Sequence, residues 1–146
     1  MKSSKLSIFL ISLSVFSFLL PNVALGQEYD DYQIITHSKE ALQKLGRSID
    51  APKMEIQTSA EKGRVLVINV TGRRTLLMEI AYKAFLAGAS VIKDAKNPIN
   101  EIVVIASAQY KNVETFYFSS TAACSIDLFN RLISIEKFTS DCININ

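Results

Sequence analysis

The stretch that decides the fold is "RVLVINVTGRRTLLMEIAYKAFLAGASVI" (64–92). Its first part, 64–70, is almost wholly apolar and rich in β-branched residues, which predicts a strand that is central in its sheet or covered on both faces. From 75 to 92 the apolar residues recur at helical spacing, and Ala81, Ala84 and Gly88 keep that side of the helix shallow. The stretch therefore predicts a buried strand followed by a long helix that lies close on the same sheet.

The flanking sequence adds further elements of the same kinds. The apolar patterns and the Gly and Pro positions predict strands at 53–58, 101–108 and 113–120, and helices at 39–45 and 124–134. Gly63 stands in the short connection before the central strand, where a hairpin loop often needs positive φ.

The order of these elements is α-ββα-ββα, which is typical of an α+β fold. We predict a single domain over 38–146, in which two β-hairpins form an antiparallel sheet and the helices pack mainly on one face. A shift of 48 residues places the first ββα unit on the second, for example Met54 on Ile102 and Glu79 on Asp127. This match fits an internal repeat, and it also fits chance similarity between two amphipathic units.

The N-terminus has the three parts of an export signal. Lys2 and Lys5 precede an apolar stretch at 6–20, and small residues follow at 24–26. We predict a signal peptide at 1–26, cleaved near Gly26, and a mature protein in the periplasm or outside the cell without a stable membrane anchor. The alternative is an uncleaved anchor, for which this stretch is short, because a membrane span needs about 20 apolar residues.

Cleavage would change the charge of the chain. Without Lys2 and Lys5 the 16 basic residues become 14, which equals the 14 acidic residues. A neutral mature chain has no basic excess with which to bind nucleic acid, so we predict no nucleic-acid partner.

The segment 27–37, "QEYDDYQIITH", has no clean period, and we predict a flexible lead-in before a helix capped by Ser38. Its alternating acids and tyrosines also fit a surface that binds a basic or carbohydrate partner. The single histidine of the chain, His37, lies in this segment. No nucleophile motif, paired histidines or CxxC spacing accompanies it, so we predict no catalytic residue, metal site or cofactor.

The two cysteines, Cys124 and Cys142, would meet oxidising conditions after export, which favours a disulfide. A bridge needs Cα atoms about 4.4–6.8 Å apart. The last helix must therefore end by about Ser134 or Ile135, so that the tail can return along it. The alternative is two separate small apolar residues.

The turn between the central strand and the long helix is the candidate binding site. Gly72, Arg73, Arg74 and Thr75 combine a tight turn, two guanidinium groups and the amide groups of a helix N-terminus, which together favour an anion or an acidic partner. No second glycine or "GK[ST]" follows, so the turn does not predict nucleotide binding. The alternative is a solvated turn.

These observations predict a small exported binding or accessory protein without catalytic activity, whose ligand the sequence does not name. Two alternatives from other classes stay open. One is a small exported hydrolase that uses His37 as its base. The other is a structural component of an envelope or secreted assembly.

Overall fold

The computed structural model of the chain describes residues 26–46, 49, 53–109 and 112–146. Nearly all of the predicted signal peptide (1–26) lies outside these residues, as does the centre of the turn at 109–112. The described residues form one α+β domain, in which helices cover one face of a five-stranded sheet. The predicted fold class is therefore confirmed.

Helices and strands follow one another nearly in the predicted order. Their bounds are α1 (Asp31–Leu45), β1 (Lys53–Ser59), β2 (Gly63–Gly72), a 3₁₀ turn (Arg74–Leu76), α2 (Leu77–Ile92), β3 (Glu101–Gln109), β4 (Val113–Thr121), α3 (Ala122–Phe129), α4 (Ile135–Lys137) with a following π-helical turn (Phe138–Cys142), and β5 (Asn144–Ile145).

The sheet has the order β1-β2-β3-β4-β5 and contains both predicted hairpins. Strands β1 and β2 pair antiparallel around Gly63, whose φ of 69° confirms the predicted positive φ, and β3 and β4 also pair antiparallel. The two hairpins meet through a parallel pairing of β2 with β3, so the sheet is mixed rather than wholly antiparallel. The reason is α2, whose 16 residues span about 24 Å and carry the chain back to the end of the sheet where β2 began.

The core lies between the sheet and the helices. Even-numbered residues of the central strands face the helices, and Leu66, Ile68, Ile102 and Val104 have no exposed surface. Helix α2 lies directly on them, because a Cβ at Gly88 would be only 3.1 Å from Ile102 Cδ1. The expected close approach of α2 to the sheet is therefore confirmed. Residues 74–92 are also long and apolar enough to cross a membrane. However, 56% of the most apolar 18-residue stretch within them is buried in the domain.

Helix α1 begins inside the segment that we predicted as a flexible lead-in. Its N-cap is Asp30, whose side chain accepts a hydrogen bond from Gln33 N, while the Gln33 side chain accepts one from Asp30 N. Just before the cap, Tyr29 N donates to Asp94 O, and Lys96 N donates to Tyr29 O. Ser38 is therefore not the cap but a buried residue in the middle of the helix.

The C-terminal segment returns along α3, as the disulfide requires. Helix α3 ends at Phe129, earlier than the predicted 134, and the Cα atoms of Cys124 and Cys142 are 6.0 Å apart in a disulfide. The predicted bridge is confirmed, and it is compatible with an oxidising compartment. Phe138 packs edge-on against Phe85 with ring centroids 5.4 Å apart, which fixes the returning segment on α2.

Candidate functional site

The predicted anion site lies where β2 ends, and its glycine has a packing role. Gly72 is the last residue of β2, and a Cβ there would clash with Ile80 Cδ1 in α2. The absence of a side chain at Gly72 therefore leaves room for the Ile80 side chain in the first turn of α2. This explanation requires no bound ligand.

Arg74 also has a partner within the domain. Its Nε lies 3.2 Å from Glu114 Oε2 on β4. That oxygen is shielded from solvent and accepts no hydrogen bond from the described residues, so Arg74 is its counter-charge. The ion pair reduces the positive charge that the turn presents to an anion.

The other two residues of the turn remain exposed. Arg73 precedes the 3₁₀ turn and Thr75 lies within it, while Leu76 N already donates to Arg73 O. Arg74 and Thr75 line one side of a cavity of about 290 Å³ whose other walls are apolar. Binding of an anion or an acidic partner at this turn stays a prediction.

His37 lies on α1, and its side chain is 40% exposed. Its Nδ1 is 3.4 Å from Glu40 Oε2, and its ring centroid is 4.9 Å from that of Tyr29. Of the acids near it in sequence, Asp30 caps the helix and Asp31 pairs with Arg64. Over the described ranges, no three His, Cys, Asp or Glu side chains come together as a metal site would require.

A larger cavity lies on the helical side of the domain, and sequence reasoning missed it. We call it the helical groove: its volume is about 580 Å³, and it lies between α1, α2 and the segment 128–135, which runs from the end of α3 to the start of α4. Its apolar walls are Ala41, Leu45, Leu86, Ala87, Leu128, Phe129, Ile133 and Ile135. Three of these side chains, Leu45, Phe129 and Ile135, are between 38% and 55% exposed. Large apolar side chains gathered at an open groove are typical of a binding surface.

Four polar residues complete the helical groove. Lys44 lies near the end of α1, and Arg131 lies just after α3. Ser90 and Ser134 are the other two, and no acidic residue of the described part of the chain lines the groove. The groove therefore combines apolar walls with positive charge.

The sequence contains a weak signal for this groove. The segment "FNRLISI" (129–135) is rich in large apolar residues at a place where regular helix has ended. A group of large apolar residues outside a regular element is typical of a core or of a binding surface, whereas single exposed ones such as Leu132 are common on any surface. The sequence alone could not assign them, because the opposite walls come from α1 and α2.

No known protein family, no curated protein and no solved structure matches the chain. Its function has to be argued from the geometry of its own surface.

Proposed function

We propose that the chain is an exported binding protein without catalytic activity, and that its ligand lies in the helical groove. The observation that carries this proposal is the groove itself, with about 580 Å³ between apolar walls. Small-molecule sites usually have volumes of about 300–1,000 Å³, mostly apolar walls and few polar groups. The helical groove fits this description better than the smaller cavity beside the turn.

The surrounding structure supports a preformed groove. One wall belongs to the segment 128–135, which lies between the bridged Cys124 and Cys142. Phe138 anchors the same chain segment against Phe85. A wall held at both ends keeps its shape without ligand, which lowers the entropy cost of binding.

The compartment is part of the proposal. Residues 1–26 have the composition of an export signal, and a disulfide persists in oxidising compartments. We therefore place the mature protein in the periplasm or outside the cell. A binding protein there would act on molecules it meets after export.

The test uses N-phenyl-1-naphthylamine, a neutral fluorophore whose emission rises in apolar surroundings. We expect saturable binding to the purified protein. Ala41→Trp should reduce the affinity at least about tenfold, because the indole would occupy the groove between α1 and α2. The matched control is Ala60→Trp, which places the same indole in the exposed turn between β1 and β2.

The results for the two variants distinguish binding in the helical groove from binding elsewhere on the protein. Binding that is lost in Ala41→Trp and kept in Ala60→Trp, with similar unfolding midpoints, supports the groove. Equal binding by both variants places the fluorophore elsewhere and contradicts the proposal. If Ala41→Trp does not fold, Leu45→Asp at the half-exposed mouth takes its place, with Leu132→Asp as its control outside the lining.

A further inference from the structure

We infer that the ligand of the helical groove is a long-chain carboxylate, with its hydrocarbon chain on the apolar walls and its carboxylate between Lys44 and Arg131. This inference rests on the proposed function and adds the chemical class of the ligand. It follows from the charges at the groove, the hydrogen bonds of its serines, its size and the backbone of Arg131.

The charges at the groove are of one sign. Among the described residues, Lys44 and Arg131 are the ionic ones in its lining, and neither forms a salt bridge with another described residue. This differs from Arg74 and Arg64, which have Glu114 and Asp31 as partners. Two cations beside an apolar surface are complementary to a ligand with one anionic head and an apolar tail.

The neutral polar groups of the groove already have partners. Ser90 Oγ donates to Ala87 O at 2.7 Å, and Ser134 Oγ accepts a hydrogen bond from Lys137 N at 3.1 Å. An extended peptide in the groove would bury amide and carbonyl groups with few protein partners, which is costly. A hydrocarbon chain has no such groups to satisfy.

The size of the groove disfavours a docked helix. A helix with its side chains is about 10 Å wide, so a cavity of about 580 Å³ would enclose only about five of its residues. That is little more than one turn, too short for the repeated anchors of helix-in-groove recognition. A single hydrocarbon chain fits within the same volume.

The backbone of Arg131 points to the same ligand. Its φ is 60°, in the left-handed region, at the position where a helix ending usually has glycine. The hydrogen bonds from Arg131 N to Leu128 O and from Leu132 N to Asp127 O form a Schellman motif. An arginine therefore occupies a strained position at the edge of the groove, and strain of this kind is concentrated at functional sites.

The experiment is displacement of N-phenyl-1-naphthylamine by three amphiphiles with the same alkyl chain, all below their micellar concentrations. They are dodecanoate, dodecanol and dodecyltrimethylammonium. We expect dodecanoate to bind about tenfold more tightly than dodecanol, with the cation weakest. Lys44→Gln combined with Arg131→Gln should abolish this preference, while Lys96→Gln combined with Lys137→Gln, which lie outside the groove, should preserve it.

The outcomes test the apolar groove and the anionic head of the ligand separately. Equal displacement by dodecanoate and dodecanol overturns the anionic head and leaves the apolar groove in place. A fluorophore that does not bind in the groove overturns both. Binding to anionic phospholipid vesicles with no displacement by dodecanoate overturns the single-chain ligand in favour of a membrane surface.

Arg131→Gly separates a binding role from a structural one. Glycine relieves the left-handed strain, so the unfolding midpoint should rise or stay unchanged, while the affinity for dodecanoate falls by about threefold to tenfold. Arg131→Lys should keep most of the affinity. A fall in both stability and affinity for Arg131→Gly would instead assign the arginine to packing.

Discussion

At Gly72 the missing side chain supports the packing of α2 on the sheet. We expect Gly72→Ala to lower the free energy of unfolding by up to about 1 kcal/mol, because its Cβ would force the end of the buried Ile80 side chain out of its present position. Urea unfolding of both proteins measures the change. Ile80→Val removes that carbon, so the double variant should lose less than the sum of the two single losses.

A different result would restore the anion-site interpretation of this glycine. If Gly72→Ala leaves stability unchanged and weakens phosphate binding, the turn needs the glycine for a ligand rather than for Ile80. The sequence could predict a tight position at Gly72 but not its neighbour. Likewise, it could not foresee Glu114 beside Arg74, because that contact joins two strands that are distant in the chain.

At the scale of one element, Asp30 and Ser38 are the two candidates for the N-cap of α1, and mutation distinguishes them. We expect Asp30→Ala to lower the free energy of unfolding by about 1 kcal/mol, because it removes the reciprocal hydrogen bonds with Gln33. Ser38→Ala should be neutral or stabilising, since Ser38 Oγ is buried and has no hydrogen-bond partner among the described residues. Thermal and urea unfolding of the two variants make the comparison.

A larger loss of stability for Ser38→Ala than for Asp30→Ala would place the helix start at Ser38, where we first expected it. That expectation was wrong for a physical reason. The buried row of α1 is Ile34, Ser38 and Leu42, so a serine interrupts the apolar spacing at its centre. By contrast, α2 and both hairpins were predictable, because their apolar residues recur without interruption.

For the whole molecule, the sequence predicted the two hairpins but not how they pair with each other in the sheet. The two hairpins follow from the apolar strand patterns and, for the first hairpin, from Gly63, whereas the parallel pairing of β2 with β3 depends on where α2 returns the chain. The helical groove is a still less local feature. Its three walls are far apart in sequence, and only the packed domain brings Lys44 and Arg131 into the lining of one groove.

The disulfide connects this architecture to the proposed binding. Replacing both cysteines by serine opens a loop whose ends are 18 residues apart, and we expect a loss of about 3 kcal/mol in the free energy of unfolding. Affinity for N-phenyl-1-naphthylamine should also fall while the protein is still folded, because the wall at 128–135 lies inside that loop. Fluorescence titration measures the affinity, and urea unfolding measures the stability.

Gly72→Ala is the matched control, since it also lowers stability but lies outside the lining of the helical groove. If the serine variant loses affinity and Gly72→Ala does not, the bridge acts on the groove wall rather than through stability alone. Unchanged affinity in the folded serine variant would mean that the packing of Phe138 on Phe85 holds the wall without the bridge. In that case the disulfide would stabilise the domain but have no part in shaping its binding site.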